Sequence, residues 1–370
     1  MLYFIVNEKS RSGRGAQIWK EVQRELVKRG IHYRHYVTEH EGHATRLAVE
    51  ICAKTDDDIC LAVVGGDGTA NEVINGITHP EKVRFGLIPT GSGNDLARGL
   101  KLSGTPSENL ARMLSCMQRG GGACTVIDLG EVAWDDCEKP RKFAISAGVG
   151  LDALVCKKAL TSKLKVFLNK LHLGKLTYLL ITVQSLFSMQ TTEAAVRLDE
   201  TPERKLDRII YIAAMNFKAE GGGVPMAPKA DATDGKLSIC SVHGIPKWRT
   251  FLCLPFLVAA KHTGIRGFDI DDCGTCEVRL KDPMVLHADG EYCGDVTKLQ
   301  FRCLPGMLRV LAYVPMVLIG LSILFTAVPL STDRETLATI LPITVGSVIS
   351  VLLGELLIAV RRHHQPRSGG

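Results

Sequence analysis

Three polar, glycine-rich segments contain the residue types that could hold a phosphate group. They are residues 7–15 (NEKSRSGRG), 65–72 (GGDGTANE) and 89–95 (PTGSGND), and each follows a short apolar run. Glycine lets the backbone turn tightly and present bare N–H groups to an anion, and a helix N-terminus behind the turn adds partial positive charge. These segments predict a phosphate pocket. The sequence lacks the P-loop and dinucleotide Rossmann motifs, which argues against those two kinds of site.

The elements that must position these segments alternate between strands and helices over the first 120 residues. Apolar, β-rich runs predict strands at Leu2–Val6, Ile31–Thr38, Ile59–Val64 and Phe85–Ile88. Helical spacing of apolar residues lies between them, at Ala16–Arg29, at 44–51 and after Gly68. Such alternation predicts a parallel sheet covered on both faces, with ligands at the carboxyl ends of its strands.

From residue 125 the pattern changes to strands with short connections. Runs of this kind lie at Thr125–Trp134, Arg141–Val149, Glu193–Asp199, Arg208–Phe217, Lys236–Val242 and Cys276–Leu280. We therefore expect an α/β domain at residues 1–122 and a mostly antiparallel, β-sandwich-like domain at residues 123–312, whose end is free to return to the first domain.

Composition excludes several classes of protein. The 370 residues carry a net charge of +6, and 46% of them are hydrophobic. This excludes a disordered chain, a collagen and a small disulfide scaffold. The basic excess is too diffuse to indicate a nucleic-acid partner. The mean hydropathy of +0.11 is high for a soluble protein with 23% charged residues, so apolar residues must be concentrated somewhere.

The apolar excess lies near the C-terminus. Residues 310–330 and 336–354 contain no charged residue, and about 20 residues span a bilayer. A short polar loop separates them, and basic residues lie at both outer ends. This pattern predicts a two-helix transmembrane hairpin at residues 313–362 and localisation at the cell membrane, with the catalytic domains on the cytoplasmic face. The alternative is that the start of the first stretch is a buried strand of the soluble domain.

A second feature indicates lipid. The 40 residues between Asp152 and Glu193 contain six lysines and no carboxylate, and leucines and aromatic residues lie among the lysines. Basic and apolar residues at helical spacing suit the surface of an anionic membrane. The alternative is a solvated helical pair whose leucines pack on the β-rich domain.

The glycine-rich segments allow a family to be recognised. Residues 65–73 (GGDGTANEV) resemble the nucleotide motif of the diacylglycerol kinase and sphingosine kinase catalytic-domain family. Residues 89–98 resemble its second loop, and residues 7–15 are similar to its N-P-x-S-G-x-G opening, with Glu8 in place of proline and two inserted residues. The resemblance covers roughly residues 1–312 and implies ATP binding. The implied nucleotide-binding residues are Asn7, Ser12, Gly13, Thr38, Gly65, Gly66, Asp67, Gly68, Thr69, Asn71, Ser92 and Asn94.

Two carboxylates flank a glycine at Asp289-Gly290-Glu291, so a tight turn would present both at one place. The segment looks like the D-G-E of the same family. That resemblance implies that Glu291 is the general base. It also implies that Asp289 joins Asp67 and Asp95 in a catalytic network of Mg²⁺ and water.

A further turn, at residues 228–237 (PKADATDGKL), is similar to a structural Mg²⁺ site of the family. The resemblance implies that Asp231, Asp234 and Lys236 form this site, and oxygen ligands suit Mg²⁺. The alternative is a plain hairpin turn, because a D-G turn needs no metal.

These features together predict an ATP- and Mg²⁺-dependent lipid kinase that converts diacylglycerol to phosphatidate. An NAD kinase, which shares the GGDGT core, is one alternative, and a degenerate nucleotide-binding protein is another. Asn71-Glu72 argues against the first, and the intact carboxylates argue against the second. The expected partners are a membrane lipid substrate and an anionic membrane surface, with no nucleic acid, and a homodimer is left open.

Overall fold

The computed structural model describes residues 1–54, 57–118, 124–135, 137–161 and 174–312. Within these ranges, fourteen strands are joined by hydrogen bonds into one sheet. The N-terminal part of this sheet is parallel, and most of the remainder is antiparallel. These two parts match the predicted α/β and β-sandwich-like architecture.

The parallel part alternates strands and helices, as the apolar pattern predicts. The strands are β1 (Leu2–Val6), β2 (Tyr33–Val37), β3 (Ile59–Gly65) and β4 (Val83–Pro89). The helices are α1 (Ser10–Lys28), α2 (His43–Ala53), α3 (Asp67–Gly76), α4 (Asp95–Gly99) and α5 (Pro106–Gln118). The strands lie in the order β2-β1-β3-β4, and every neighbouring pair is parallel.

Both faces of the parallel sheet are covered. Successive side chains of a strand point to opposite faces. Accordingly, Leu2, Phe4 and Val6 of β1 lie in one core with α1 and α5, and Tyr3 and Ile5 lie in another core with α2 and α3. This arrangement explains why the parallel strands are apolar without alternation.

The antiparallel part is built from ten strands and three helices of the described chain. The strands are β5 (Thr125–Trp134), β6 (Arg141–Phe143), β7 (Ser146–Gly150), β8 (Thr192–Leu198), β9 (Arg204–Ile209), β10 (Tyr211–Met215), β11 (Leu237–Val242), β12 (Phe268–Cys273), β13 (Thr275–Ala288) and β14 (Glu291–Val310). The helices are α6 (Leu151–Thr161), α7 (Gly174–Ser188) and α8 (Lys247–Val258). This part has a separate hydrophobic core.

Strand β14 connects the two parts of the sheet. It pairs with β13 and β5 in antiparallel fashion, and its last residues, Arg309 and Val310, pair in parallel with β4. The Leu311 N–H then donates to the Phe85 carbonyl at 2.7 Å. The end of the second part therefore returns to the first and completes its sheet.

Two segments predicted as single strands are divided in the structure. Residues 141–149 form β6 and β7, which are separated by Ala144 and Ile145. Residues 208–217 contain the end of β9 and all of β10, and the backbone at Arg208 is left-handed, with φ of 48°. A residue with this φ bends the end of β9, and the break between β9 and β10 follows at Ile210.

The prediction of a transmembrane hairpin is corrected. Across the described ranges, no helix has both the length and the apolar character needed to cross a membrane. Residues 313–362, to which the hairpin was assigned, lie outside those ranges. The described start of the first apolar stretch, Val310 to Ala312, is at most 3% exposed because it completes the parallel sheet. In the part of the chain that the structure describes, the fold class is therefore an α/β part with an antiparallel β-rich part and no hairpin. The predicted localisation at the cell membrane depended on the hairpin and was wrong with it.

We predict that Gly130→Ala destabilises the junction of β5 with β6. A Cβ at Gly130 would lie 2.0 Å from the ring of Phe143. That ring is fully buried and packs edge-to-face on Phe301 at 6.5 Å, so it has no room to move. Overpacking of this kind costs about 2 kcal/mol of unfolding free energy, which urea denaturation measures. Gly274→Ala is the matched control, since its Cβ meets only Asp199 at 3.4 Å. Equal stability of the two variants would contradict the prediction.

Candidate active site

The three glycine-rich segments meet at the carboxyl ends of β1, β3 and β4. The Asn7 side-chain amide donates to Thr69 Oγ1 at 3.0 Å, which joins the first segment to the second. The Thr90 N–H donates to the Gly65 carbonyl at 2.9 Å, which joins the second to the third. Ser10 Oγ and Thr90 Oγ1 lie 2.7 Å apart, so the first and third segments are also in contact. One polar surface is thus built from three separate parts of the sequence.

Two glycines allow the second and third segments to approach this closely. A Cβ at Gly91 would lie 2.9 Å from the Cα of Gly66, and a Cβ at Gly66 would lie 3.2 Å from the Cα of Gly91. Any larger residue at either position would push the backbones apart. The glycines are therefore needed for loop-to-loop packing, in addition to leaving N–H groups accessible.

Asp67 and Asp95 form a close acidic pair at this edge. The Asp67 carboxylate accepts hydrogen bonds from the N–H groups of Asp95 at 3.1 Å and Leu96 at 3.2 Å, and so satisfies the first donors of α4. A Cβ at Gly93 would lie 3.3 Å from the Asp67 carboxylate and 3.4 Å from that of Asp95. Burial, together with the nearby Asp95 carboxylate, raises the pKa of Asp67 to about 6. Two adjacent carboxylates are suited to binding a divalent cation.

Asp95 has further partners. Its carboxylate forms an ion pair with Arg98 and accepts the Gly222 N–H at 2.8 Å. Residue 222 belongs to the connection between β10 and β11, so this bond attaches the antiparallel part to the third glycine-rich segment.

The Asp289-Gly290 turn connects β13 to β14. Both residues have positive φ, 49° and 85°, as in a two-residue type I′ hairpin, and Ala288 pairs with Glu291 on either side. The turn therefore places Glu291 at the first position of β14, directly beside the glycine-rich edge.

The Asp289 carboxylate is buried and bonded on both oxygens. It accepts the N–H groups of Ala144 at 2.8 Å, Ile145 at 2.7 Å and Ser146 at 3.1 Å, and the Asn71 side-chain amide at 2.8 Å. Burial raises the pKa of Asp289, and these hydrogen bonds oppose that shift. Asp289 thus anchors the turn. Its predicted place in a Mg²⁺ network stays a prediction.

Glu291 lies against the first turn of α3. A Cβ at Gly68 would lie 2.3 Å from Glu291 Oε1, so the carboxylate occupies space that only glycine leaves free. Burial raises the pKa of Glu291, Arg141 lowers it, and the nearby carboxylates of Glu41 and Glu72 raise it further. A glutamate with raised pKa next to a phosphate-binding edge is suited to accept a proton.

Arg141 has a role that the sequence analysis missed. Its guanidinium donates to Asn71 Oδ1 at 2.8 Å and 3.1 Å, while the Asn71 amide donates to Asp289. Asn71 therefore joins α3, Arg141 and the turn that precedes Glu291. No local motif marks Arg141, because its partners are about 70 or more positions away in sequence.

Behind the turn lies a buried group of charged side chains. His287 Nε2 and Asp152 Oδ2 are 2.6 Å apart, and the Gly290 N–H donates to His287 Nδ1 at 3.1 Å. Glu220 bonds to Ser146 Oγ and accepts the Tyr211 hydroxyl at 3.2 Å. Burial lowers the pKa of His287, but Asp152 and Glu220 outweigh it and raise that pKa to about 9. The raised pKa favours the charged ring, whereas the Gly290 N–H can donate only to an unprotonated Nδ1. The two therefore favour different states of His287, and the geometry of the structure is that of the neutral ring with its proton on Nε2, facing Asp152.

An open cleft of about 530 Å³ lies between the glycine-rich edge and the turn. This volume is within the usual range for small-molecule sites. Among the predicted residues, those that line the cleft are Asn7, Thr38, Gly66, Asp67, Gly68, Thr69, Ser92, Asp289 and Glu291. Those that do not line it are Ser12, Gly13, Gly65, Asn71, Asn94 and Asp95. Ser12 and Gly13 are exposed, whereas Asn71 and Asp95 support the wall from behind.

The lining residues fit a nucleotide with a bound cation. The N-terminus of α3 opens onto the cleft through Gly66, Asp67 and Gly68, which offers N–H groups to an anion. Lys9 and Arg11, which the sequence analysis did not single out, also line the cleft and add positive charge. Asp67, which lines the cleft, offers an oxygen ligand of the kind that Mg²⁺ prefers, and Asp95 lies beside it.

The predicted structural metal turn lies elsewhere. Asp231 accepts bonds from Thr233, and Asp234 accepts the Lys236 N–H at 2.9 Å, so both carboxylates are engaged within their own turn. The Asp128 carboxylate, which is buried, accepts the Gly235 N–H at 2.7 Å and so fixes this turn to β5. The metal at Asp231, Asp234 and Lys236 stays a prediction.

Comparison with known proteins agrees with this architecture. Residues 1–127 match the family model described as "Diacylglycerol kinase catalytic domain", and residues 145–312 match "YegS C-terminal NAD kinase beta sandwich-like domain". The Bacillus subtilis protein named "Putative lipid kinase YtlR" is 30% identical over 311 residues, which cover 83% of this chain and 98% of that protein. A diacylglycerol kinase of the same organism is 27% identical over 76% of this chain and 87% of its own length.

Solved structures share the fold. A crystal structure of a diacylglycerol kinase from Bacillus anthracis superimposes with a TM-score of 0.59 at 17% identity, and covers 85% of this chain and 97% of its own. A second crystal structure from that organism, with the same coverage of both chains, reaches a TM-score of 0.65 at 20% identity.

The two matched family models, together with 30% identity to the YtlR protein over 83% of the chain, define a kinase of the lipid-kinase type. The chain belongs to the diacylglycerol kinase family of lipid kinases, which are transferases. The alternatives of an NAD kinase and of a degenerate nucleotide-binding protein are therefore set aside.

We predict that Gly68→Ala abolishes most transfer activity without lowering stability. The added methyl group displaces the Glu291 carboxylate, whereas alanine is favoured over glycine in a helix by about 1 kcal/mol. Displacing a reacting group by about 1 Å costs on the order of 100-fold in rate. Phosphate transfer to a lipid extract and the melting temperature measure the two effects. Gly274→Ala is again the control, and a Gly68→Ala enzyme with full activity would contradict the assigned position of Glu291.

We predict that Asp289→Asn lowers the unfolding free energy by about 3 kcal/mol, because an amide NH₂ would then face backbone N–H donors in a buried site. Urea denaturation at neutral pH measures this loss. Asp269→Asn is the control, since its side chain is 52% exposed and its removal should cost less than about 0.5 kcal/mol. Equal losses in the two variants would show that the hydrogen bonds to Asp289 do not hold the turn.

Proposed function

We propose that this lipid kinase transfers the γ-phosphoryl group of ATP to the free hydroxyl of diacylglycerol, which gives phosphatidate and ADP. One observation carries the proposal. The Glu291 carboxylate lies against Gly68, at the helix N-terminus that opens onto the cleft of the three glycine-rich segments. A proton acceptor and a phosphate-binding surface therefore occupy the same cleft.

Different residues of the cleft bind the phosphates and the cation. N–H groups of Gly66, Asp67 and Gly68 face the phosphates, and Lys9 adds positive charge. Asp67 and Asp95 would hold a Mg²⁺ ion, which when bound neutralises charge on the phosphates. Since the burial of Asp67 raises its pKa, cation binding also relieves the cost of ionising two adjacent carboxylates.

Glu291 acts on the acceptor. The hydroxyl loses its proton to the Glu291 carboxylate as its oxygen forms a bond to the γ-phosphorus. The bond from that phosphorus to the β,γ-bridging oxygen breaks, and ADP leaves. Arg141, held by Asn71, lowers the pKa of Glu291 and so opposes the effect of burial.

Diacylglycerol is proposed as acceptor because of the relatives. Several are named diacylglycerol kinase and align over about three quarters of this chain. The open cleft is also accessible from outside, as an acceptor that enters from a lipid phase requires.

The test is a transfer assay with γ-labelled ATP, Mg²⁺ and diacylglycerol in mixed micelles. We expect labelled phosphatidate from the wild type and a loss of about 1,000-fold in kcat for Glu291→Gln, which keeps shape but removes the base. Glu277→Gln, at a half-exposed position of β13, is the control and should retain full activity.

Three outcomes would count against the proposal. Phosphatidate formation that survives Glu291→Gln would remove Glu291 as base. A wild type that phosphorylates another lipid alcohol in a panel, but not diacylglycerol, would replace the acceptor. Unchanged activity after removal of divalent cations with a chelator would exclude the proposed cation at Asp67 and Asp95.

A further inference from the structure

Helix α8 presents apolar side chains to solvent, the reverse of the usual pattern for a surface helix. Trp248, Leu252, Phe256 and Val258 are each at least half exposed, at 60%, 58%, 50% and 66%, and Phe251 is 40% exposed. At 100° per residue these five side chains fall on one side of the helix. The opposite side is the buried one, and it contains Thr250 and Cys253.

The exposed apolar surface continues onto helix α7. The ring of Phe187, which is 51% exposed, lies 6.0 Å from the ring of Phe251. Lys247 donates to the Phe187 carbonyl at 3.4 Å and also to that of Met189, which fixes the start of α8 to the end of α7. We call this surface, made of Phe187, Trp248, Phe251, Leu252, Phe256 and Val258, the α8 patch. Contiguous exposed apolar surfaces of this kind mark interaction sites.

The chain segments that form the α8 patch carry charges of one sign. Residues 244–268 contain no carboxylate, and they include Lys247, Arg249, Lys261 and Arg266. The last two of these residues are exposed. The 40 residues that precede Glu193, including α7, also contain no carboxylate. An apolar surface with a tryptophan and a basic border is typical of proteins that bind an anionic bilayer at its interface.

The basic residues near the α8 patch also argue against a second copy of the chain as its binding partner. A two-fold symmetric dimer places the same surface of both subunits face to face. Through the α8 patch, such a dimer would bring basic residues of one subunit near those of the other. An anionic lipid surface instead complements them, and each basic residue near it contributes about 1 kcal/mol.

Packed helices link the α8 patch to the Asp289-Gly290 turn. Helix α8 contacts α7, and α7 contacts α6. Helix α6 begins beside the turn, where Asp152 bonds to His287 at 2.6 Å, and Lys157 of α6 donates to the Tyr292 hydroxyl at 3.2 Å. A surface held by α8 is therefore joined to Glu291 through two packed helices.

We propose that the α8 patch is an interfacial docking surface for an anionic lipid bilayer. Binding of the patch to the bilayer places the cleft next to substrate in the lipid phase. The proposal rests on the function proposed above, since a kinase for a water-soluble acceptor would gain nothing from it. It assigns lipid contact to an element outside the residues that bind nucleotide or carry out transfer.

The test measures binding of the full chain to unilamellar vesicles without ATP. Vesicles of phosphatidylcholine with about one third phosphatidylglycerol are compared with vesicles of phosphatidylcholine alone. We expect the wild type to sediment with the anionic vesicles, with a blue shift of its tryptophan fluorescence, and to bind the neutral vesicles about tenfold more weakly or worse. The double variant Trp248→Ser/Phe256→Ser should lose about tenfold or more of the anionic-vesicle partition coefficient.

Two control variants make the result specific. Val27→Ser/Val49→Ser removes exposed apolar side chains, 73% and 41% exposed, from α1 and α2, and should bind as the wild type does. Lys261→Gln/Arg266→Gln should weaken binding to anionic vesicles and leave binding to neutral vesicles unchanged. Since all of these positions are on the surface, each variant should keep the wild-type melting temperature.

Activity separates this proposal from the proposed function. With a short-chain, water-soluble diacylglycerol, Trp248→Ser/Phe256→Ser should match the wild type, and with diacylglycerol in anionic vesicles it should lose about tenfold or more. If the wild type phosphorylates neither form, the proposed function fails, while vesicle binding still decides the docking. Vesicle binding unaffected by the double variant would overturn the proposal. So would a wild-type dimer that the double variant dissociates in the absence of vesicle binding.

Discussion

The buried carboxylate of Asp289 is the contact on which the site depends. It accepts the backbone N–H groups of residues 144–146, where β6 leads into β7, and the side-chain amide of Asn71 from α3. A buried charge is tolerated only when it is bonded in this way. By meeting that requirement, Asp289 fixes the β13–β14 turn to both parts of the protein at once. Because Glu291 follows two residues later, these hydrogen bonds also fix its position.

The same constraint explains why single residues around Asp289 serve two structural purposes. Asn71 donates to Asp289 and accepts hydrogen bonds from Arg141, so a residue of the glycine-rich segment also holds the Asp289-Gly290 turn. Gly68 leaves the space that the Glu291 carboxylate occupies, and Gly66 lets the second loop contact the third. A motif that looks like a phosphate-binding loop alone is therefore also the joint between the two parts of the fold.

The sequence predicted the elements well where the apolar period was clear and failed where it was ambiguous. Strands β1 and β5 have their predicted bounds. The charge-free stretch that begins at Val310 was divided at residue 313 between the soluble domain and a membrane span, and its described start is a buried strand. The division was ambiguous because a fully buried strand and a membrane helix have the same composition over a short window. Helix α8 was not predicted at all, since its apolar side faces outward and gives no sign of a core.

Residue types and their spacing, by themselves, determined that three glycine-rich segments follow parallel strands and that two carboxylates flank a glycine. Local chain geometry is enough for that, since strand ends and tight turns depend on neighbouring residues. Only the tertiary structure decided which groups meet: Glu291 with Gly68, Asp289 with residues 144–146, and Arg141 with Asn71. These partners are about 70 to 220 positions apart. Contacts over such separations arise from sheet pairing and burial, which no local pattern in the sequence records.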